Sequence, residues 1–567
     1  MTKPMKQSRR WLWVSLGVMI LLNLSQLWTN FTMHNWDSQG HIFHASHYLA
    51  AWFSPWEEKW YSGFWVFSYP PLVHQLIAVF SYLGGLEVAY RLVQAAFMLL
   101  FPVATWLLGK ELLGEPAASI AALLSPVLAG MYVILYTFGQ LPSFASFVLA
   151  LLAGYFLARY QKSGRFFDLA GWFTLCGATV AAHHHTIIFL ATLSVVVVLT
   201  IWIKEWNRRK PVRACIAVVT FALAAGITIL PFWWWYFTKQ VTQTSIPHPT
   251  RESFLANEKY ARMFFWDMYG GMLFLIPVGL VATIKKRQLY PLWVGFIFLG
   301  LLGLGGVTDF PRLVFGSFWE VLTYERFAFW AAALSIFPVS AGLAQLPNKG
   351  VIKAAIVLVM VFGVSRAIVF QNRDDLLPKP LDSWEETEIV KFLDEHTGWR
   401  YVTFGLGEPE MVRISRLTRA QTVDGFFYQA RWKEVEAISG SGTLDSSPWL
   451  VEESYPLLFP MLQHPWDWNL RWAIVKHPWI IEHLQNSGWK LLHPIGKDNT
   501  FQLDDSFSSL VTVWEAPTDA DFMSKVESSM PPSPKVLSYW WGIVPLSVLL
   551  TSLLLLAFSL KREEHSS

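Results

Sequence analysis

Between two apolar runs near its N-terminus the chain reads NWDSQGHIFHASHYLAAWFSPWEEKWYSGFWVFSYPPL. This segment holds Asp37, His41, His44, His47, Glu57 and Glu58. Asp37 and His41 are four apart and His44 and His47 three apart, so on a helix each pair shares a face. Imidazoles beside a carboxylate suit a divalent metal such as zinc or manganese. Yet no H-E-x-x-H or similarly spaced signature is present. A second cluster is His183, His184 and His185, at the junction of two apolar runs, where burial is costly without partners. A third lies over 308–326, with Asp309, Arg312, Glu325 and Arg326 just ahead of another apolar run. Arginine there suits a lipid phosphate, which it grips bidentately. Each cluster has a plainer alternative. The loop histidines could be interfacial, the triple histidine could cap two helix ends, and the arginines could form a structural ion-pair group. The Trp and Tyr residues of the loop read as an interfacial belt more readily than as a sugar platform.

The elements that must position these groups are membrane helices. Of 567 residues, 53% are apolar and only 15% charged, with 31 Trp and 42 Phe. A soluble domain carries about a quarter charged residues. The composition therefore excludes a soluble protein of this size, and also disorder and a fibrous repeat. Two cysteines, Cys176 and Cys215, exclude a disulfide framework and read as apolar filler. Runs of roughly 17–25 apolar residues are needed to cross a bilayer. They fall at 11–31, 87–108, 117–137, 141–160, 168–185, 186–203, 212–236, 269–284, 289–307, 327–346, 351–371 and 537–560, which predicts about twelve transmembrane helices. The first is expected to be a retained span, because no small-x-small cleavage site follows it. The run 70–85 is short and opens on two prolines, so it reads as an interfacial or re-entrant helix.

Lysine and arginine in short loops set orientation. With a cytoplasmic N-terminus, 20 fall on the inner side. Seven fall outside: Lys59, Lys239, Arg251, Lys259, Arg262, Arg312 and Arg326. Both termini are then cytoplasmic, and the three polar clusters share the outer face. Residues 372–536 differ in composition. WEETEIVKFLDEH reads as a helix, WRYVTFG and NLRWAIVKH as strands, HPWIIEHLQNSGW as a helix and SLVTVWEAP as a closing strand. This predicts a small extracytoplasmic α/β or α+β domain, followed by a final span and cytoplasmic tail over 537–567. The domain holds 15 basic and 25 acidic residues, a net −10, against +13 for the rest. An acidic domain is ill suited to nucleic acid or other anionic polymers.

On these residues the chain resembles polytopic GT-C fold glycosyltransferases. Within them it looks most like the bacterial and archaeal membrane proteins labelled as 6-pyruvoyl-tetrahydropterin synthase-related, a label that implies no pterin chemistry. The resemblance rests on NWDSQGH after the first run, WYSGFWVFSYPPL, the turn Gly139–Pro142, and Tyr324–Phe327 before a late run. It implies a GT-C body over 1–371, with a first outer loop over 32–86. It also implies transfer of a hexosyl or pentosyl group from a polyprenyl-phosphate-linked donor to an extracytoplasmic glycolipid, cell-wall glycan or protein, at the plasma membrane. Asp37 matches the family's acidic residue facing the acceptor and would act as base. Arg312 and Arg326 would stabilise the leaving phosphate, and His41, His44, His183, His184, His185 and Glu325 would complete the binding site. Many GT-C enzymes carry a further carboxylate near the second outer loop, whereas TFGQLPS offers Gln140. That departure favours a metal-independent mechanism, with a divalent metal left open. A transporter or flippase would show paired halves and midplane charges, and neither is found. That favours the enzyme, with a transporter or lipid flippase as the runner-up and a catalytically silent membrane scaffold as a third option.

Overall fold

In a computed structural model, residues 3–24, 29–33, 35–206, 208–239, 241, 243–253, 255, 261–347, 349–371, 380–438, 442–448, 451–495, 510–517 and 532–566 are described. Residues 25–28 of the first run, Lys259 and the domain boundary at 372 lie outside them.

The body is a helical bundle. Among the described residues six helices are long and apolar enough to cross a membrane: Leu86–Leu113, Leu141–Ser163, His184–Lys204, Lys210–Thr228, Glu325–Leu343 and Lys535–Arg562. Glu115–Val127 and Ala129–Thr137 form a seventh only as a pair bent by 41°. The twelve spans expected from hydropathy are thus not all matched by long helices. The expected spans 168–185 and 269–284 correspond to the shorter apolar helices Phe166–Ala182 and Met272–Thr283, while 11–31 and 351–371 fall on the helices Lys3–Asn23 and Lys349–Gln371. Hydropathy counts apolar residues whether or not they stay helical. The run 168–185 shows why. His183 is extended (φ −161°, ψ 116°) and ends the helix at Ala182. The run 70–85 folds as the short helices Leu72–Phe80 and Ser81–Leu83.

Leu141–Ser163 and Glu325–Leu343 are almost wholly buried, whereas Lys210–Thr228 and Lys535–Arg562 are mostly uncovered. A helix that is apolar all round and enclosed is the centre of a bundle. The two central helices therefore open on the 139–142 turn and on Glu325–Arg326. Cys176 is buried in the bundle and Cys215 is exposed on it.

Residues 35–83, ahead of Leu86–Leu113, fold rather than lying loose. Ser38–Ala51 is a helix. It is followed by the antiparallel pair β1 (Trp56–Glu57) and β2 (Phe64–Trp65). Several of the aromatic residues here are packed inside the protein and do not form an interfacial belt. Trp60 is fully buried and stacks on Phe43 with centroids 3.7 Å apart. Trp56 and Trp65 are buried as well.

The sheet domain alternates helix and strand as expected. Ser383–Glu395 is a helix with a capping box from Asp382 and Glu385. β3 (Arg400–Phe404), β4 (Leu470–Val475), β5 (Lys490–Ile495) and β6 (Val511–Glu515) form one sheet in the order β3-β4-β6-β5. The β3–β4 pair is parallel and the other two antiparallel. The expected closing strand β6 therefore lies inside the sheet, and β5 is an addition to the elements read from sequence. Side chains alternate faces: Val402, Phe404, Ala473 and Val475 pack with Leu458 and Ile480. Tyr401, Trp472, Ile474 and Val513 pack with Ile389 and Leu393. The sheet is thus covered on both sides. Met411, Val412 and Ala430 of this domain belong instead to the apolar core of the body, so the two parts pack as one.

Candidate active site

Asp37 is placed by the 137–140 turn. Its amide donates to the Phe138 carbonyl at 2.9 Å, and the Trp36 amide to Thr137 at 3.4 Å. The Ser38 amide donates to Asn35 Oδ1 at 3.0 Å, Ser38 Oγ to the Tyr90 hydroxyl at 2.8 Å, and that hydroxyl to the Gly139 carbonyl at 3.0 Å. Gly139 has φ +73°, and a Cβ there would stand 2.7 Å from the Ser38 amide nitrogen. A left-handed non-glycine residue costs roughly 1–2 kcal/mol before any crowding. Gly139→Ala is therefore expected to lower the thermal unfolding midpoint in detergent and to reduce activity, because it moves the segment that holds Asp37. An unchanged midpoint and activity would show that this turn does not position Asp37.

Aspartate at a helix start ordinarily caps it. Asp37 begins the Ser38–Ala51 helix yet makes no side-chain cap bond. Its carboxylate is left for the cavity. Burial pushes its pKa up to about 7, with Arg326 pulling it down and Glu325 pushing it up. Such a group is half ionised near neutrality and suited to proton transfer.

The same turn fixes the cation. Arg326 Nε donates to Gln140 Oε1 at 3.0 Å, and Gln140 Nε2 to Glu325 Oε1 at 3.1 Å. Arg326 also lies 3.7 Å from Glu325 and 3.4 Å from His185 Nδ1. Thr323 Oγ1 donates to Glu325 at 2.6 Å. Gln140, two residues beyond the carbonyl that holds Asp37, thus bridges the acid and the guanidinium. Its amide is already committed to Glu325 and Arg326.

The histidines divide. His41 Nδ1 is 3.2 Å from His74 Nε2. His44 stacks on Tyr69 at 5.7 Å. Burial and the neighbouring imidazoles hold both below the usual histidine range, His44 at about 3. Both are therefore neutral at pH 7 and are not cations for a phosphate. His47 is taken up by Glu57, 2.8 Å away, and by the Ser54 carbonyl. His183 caps its helix and meets Thr186 at 3.3 Å, while His184 packs on Phe232 at 4.9 Å.

Most of the predicted site residues face one cavity of about 1420 Å³. Asp37, His41, His44, His183, His184, His185, Glu325 and Arg326 line it together. Arg312 does not. It lies over the Trp319 ring at 5.2 Å, away from the cavity wall. Sequence spacing grouped it with Arg326, but it sits in the separate short helix Phe310–Phe315. The cavity also takes Tyr69, His248, the Asp267–Arg366 ion pair, Glu408 and Tyr428, none of which sequence reading singled out. Glu408 follows β3 at the first turn of Glu408–Leu417. The turn GLGEPE was the available signal, since a strand-to-helix turn is a usual place for a functional side chain. Among the described residues no group of three or more His, Cys, Asp or Glu side chains is arranged to hold a metal ion.

Neither a family model nor a curated protein matches the chain. Solved structures do. The arabinofuranosyltransferase AftD from Mycobacteria is 14% identical with a TM-score of 0.56, covering 90% of this chain and 40% of its own. This chain therefore spans well under half of that protein. ArnT from Cupriavidus metallidurans is 10% identical with a TM-score of 0.55, covering 93% of this chain and 100% of its own. ArnT has also been solved bound to undecaprenyl phosphate, with a TM-score of 0.54 to this chain. An Archaeoglobus fulgidus oligosaccharyltransferase is 11% identical with a TM-score of 0.50, covering 81% of this chain and 69% of its own. The pterin synthase-related label finds no support here. The structural neighbours are GT-C fold glycosyltransferases, and the likeness is one of fold.

Proposed function

We propose that the protein is a polytopic membrane glycosyltransferase that moves a sugar from a polyprenyl-phosphate-linked donor to an extracytoplasmic acceptor. One observation carries this reading. A carboxylate poised near neutrality and a partly buried guanidinium face one large cavity and are fixed by the same turn, Phe138–Gln140. In the reaction an acceptor hydroxyl oxygen attacks the anomeric carbon. Asp37 takes the hydroxyl proton. The bond from that carbon to the phosphate oxygen breaks, and the polyprenyl phosphate leaves with the electron pair. Arg326, assisted by His185, meets the charge that develops on the leaving oxygen. Single displacement inverts the anomeric centre. In this reading both termini and the basic loops are cytoplasmic, the cavity and the sheet domain are extracytoplasmic, and shorter helices complete the crossing of the bilayer. ArnT with undecaprenyl phosphate supports the choice of a lipid phosphate as leaving group.

Gln140, in place of a carboxylate and occupied with Glu325 and Arg326, favours metal independence. The full chain in proteoliposomes, given a panel of polyprenyl-phosphate sugars, is expected to release polyprenyl phosphate. Release should survive exhaustive EDTA treatment; its loss with EDTA and return with a divalent cation would end the metal-independent mechanism. Because the base must be ionised, kcat/KM should rise with pH through about 7 and level off above. A rate that is flat from pH 5.5 to 8.5 would remove Asp37 as the titrating base.

A further inference from the structure

The sheet domain is bound to the helix and hairpin that follow Asp37 by more than apolar packing. Lys59 Nζ donates to the Arg416 and Thr418 carbonyls at 3.0 and 2.9 Å. Trp60 Nε1 donates to Ser415 Oγ at 2.9 Å, and Trp432 Nε1 to the Gly63 carbonyl at 2.7 Å. Tyr61 bonds the Gly425 carbonyl from a turn in which Tyr61, Ser62 and Gly63 all have positive φ. Lys239 reaches the Gln429 carbonyl at 2.7 Å. Residues held this firmly are a fixed wall of the cavity rather than a tethered module.

The part of the domain on that wall is unusual. Phe426, Phe427, Tyr428 and Gln429 are each partly exposed, between fully covered neighbours at 422–425 and 430. All four line the cavity, as does Glu408. Phe426 packs over Gly40, one turn beyond Asp37, where an added Cβ would stand 2.7 Å from the ring. Phe427 meets Tyr69 edge-on at 4.9 Å. Aromatic faces and edges beside one carboxylate therefore share the cavity wall with Asp37.

We infer that Glu408 and the Phe426–Gln429 segment form a subsite for a neutral saccharide acceptor, whose ring packs on the aromatic wall while Glu408 binds its hydroxyls. This rests on the glycosyl-transfer reading above. The chemistry selects among acceptors. A sugar ring offers apolar C–H faces to aromatic rings and hydroxyl pairs to a carboxylate with several acceptor sites. Transfer requires ionised Asp37, whose charge disfavours an anionic headgroup directly beside it. An extended peptide would be expected to add to a sheet edge, but no residue of β3, β4, β5 or β6 lines the cavity. Burial, and after it the field of Asp37, lifts the Glu408 pKa to about 8. Part of the population is then protonated and donates as well as accepts.

Saturation-transfer NMR on the full chain in nanodiscs tests the subsite without any turnover. The probes are methyl glucoside, galactoside, mannoside and arabinofuranoside, a Ser/Thr-rich peptide, and glycerol 1-phosphate. At least one glycoside should show transfer, weakened tenfold or more by Glu408→Gln and by Phe427→Ala, and retained in Arg326→Ala. Silence from every glycoside, signals from the peptide or glycerol phosphate alone, or glycoside signals indifferent to both variants would each overturn the subsite. Undecaprenyl phosphate binding is measured on the same samples. It should be unchanged in Glu408→Gln. Its absence in the unaltered chain would count against the donor reading and would leave the glycoside result standing by itself.

Discussion

Asp37→Asn is expected to abolish sugar transfer while leaving expression, membrane insertion and donor binding intact. General base catalysis contributes about 10²–10⁴-fold, so the residual rate should fall by at least a hundredfold. The substitution is well suited to the question because the Asp37 side chain holds nothing else in place. It makes no cap bond to its own helix, and the segment is fixed by main-chain bonds to Phe138 and by Ser38 and Asn35. An asparagine keeps the shape and loses only the ability to take a proton. Undecaprenyl phosphate binding should therefore stay within a factor of two or so, since the lost charge lies on the acceptor side. A variant of full activity would remove Asp37 as the base. A variant that fails to insert would show that the carboxylate is structural after all.

Arg326→Ala is expected to weaken donor binding and to move the pH profile. Hydrogen bonds to charged groups are worth about 1.5–3 kcal/mol, so the apparent donor affinity should fall roughly tenfold to a hundredfold. The direction of the pH effect follows from the charges around Asp37. Arg326 holds the carboxyl down, and Glu325 and burial push it up. Removing the guanidinium leaves only the upward influences, and the rising limb should move to higher pH. A merely structural arginine would lower activity without that displacement. Deleting Arg326 also strips Glu325 of its ion pair, leaving Thr323 and Gln140 as partners. The double variant Glu325→Gln with Arg326→Ala separates the two effects. If the lost phosphate contact is what matters, the double variant binds donor as poorly as Arg326→Ala. If the unpaired Glu325 is what matters, the double variant recovers.

Sequence reading found the residues that lie close to helix junctions. Asp37, the three consecutive histidines and the Glu325–Arg326 pair each sit where an apolar run starts or stops, and the fold brings those ends to one cavity. Proximity in sequence misled for Arg312, fourteen residues from Arg326 yet turned onto Trp319 by a short intervening helix. Glu408 could not be reached by spacing at all. It is some 370 residues from Asp37 in the chain, and only the docking of the sheet domain brings the two to the same wall. The expected strands and helices of that domain appeared because alternation and turn residues are local signals. Its β5 (LLHPI around a proline) reads poorly as a strand for the same reason. The count of spans was least legible. Polar and helix-breaking residues such as His183 and the 137–140 turn cut apolar runs where the site is built.

The location of a bound lipid phosphate tests the account most directly. A cryo-electron microscopy structure of the full chain with undecaprenyl phosphate should place the phosphate within hydrogen-bonding distance of Arg326, about 3 Å, with the lipid tail leaving the cavity between helices and Asp37 on the opposite side. A phosphate seated away from Arg326, or a cavity that excludes the lipid altogether, would contradict it.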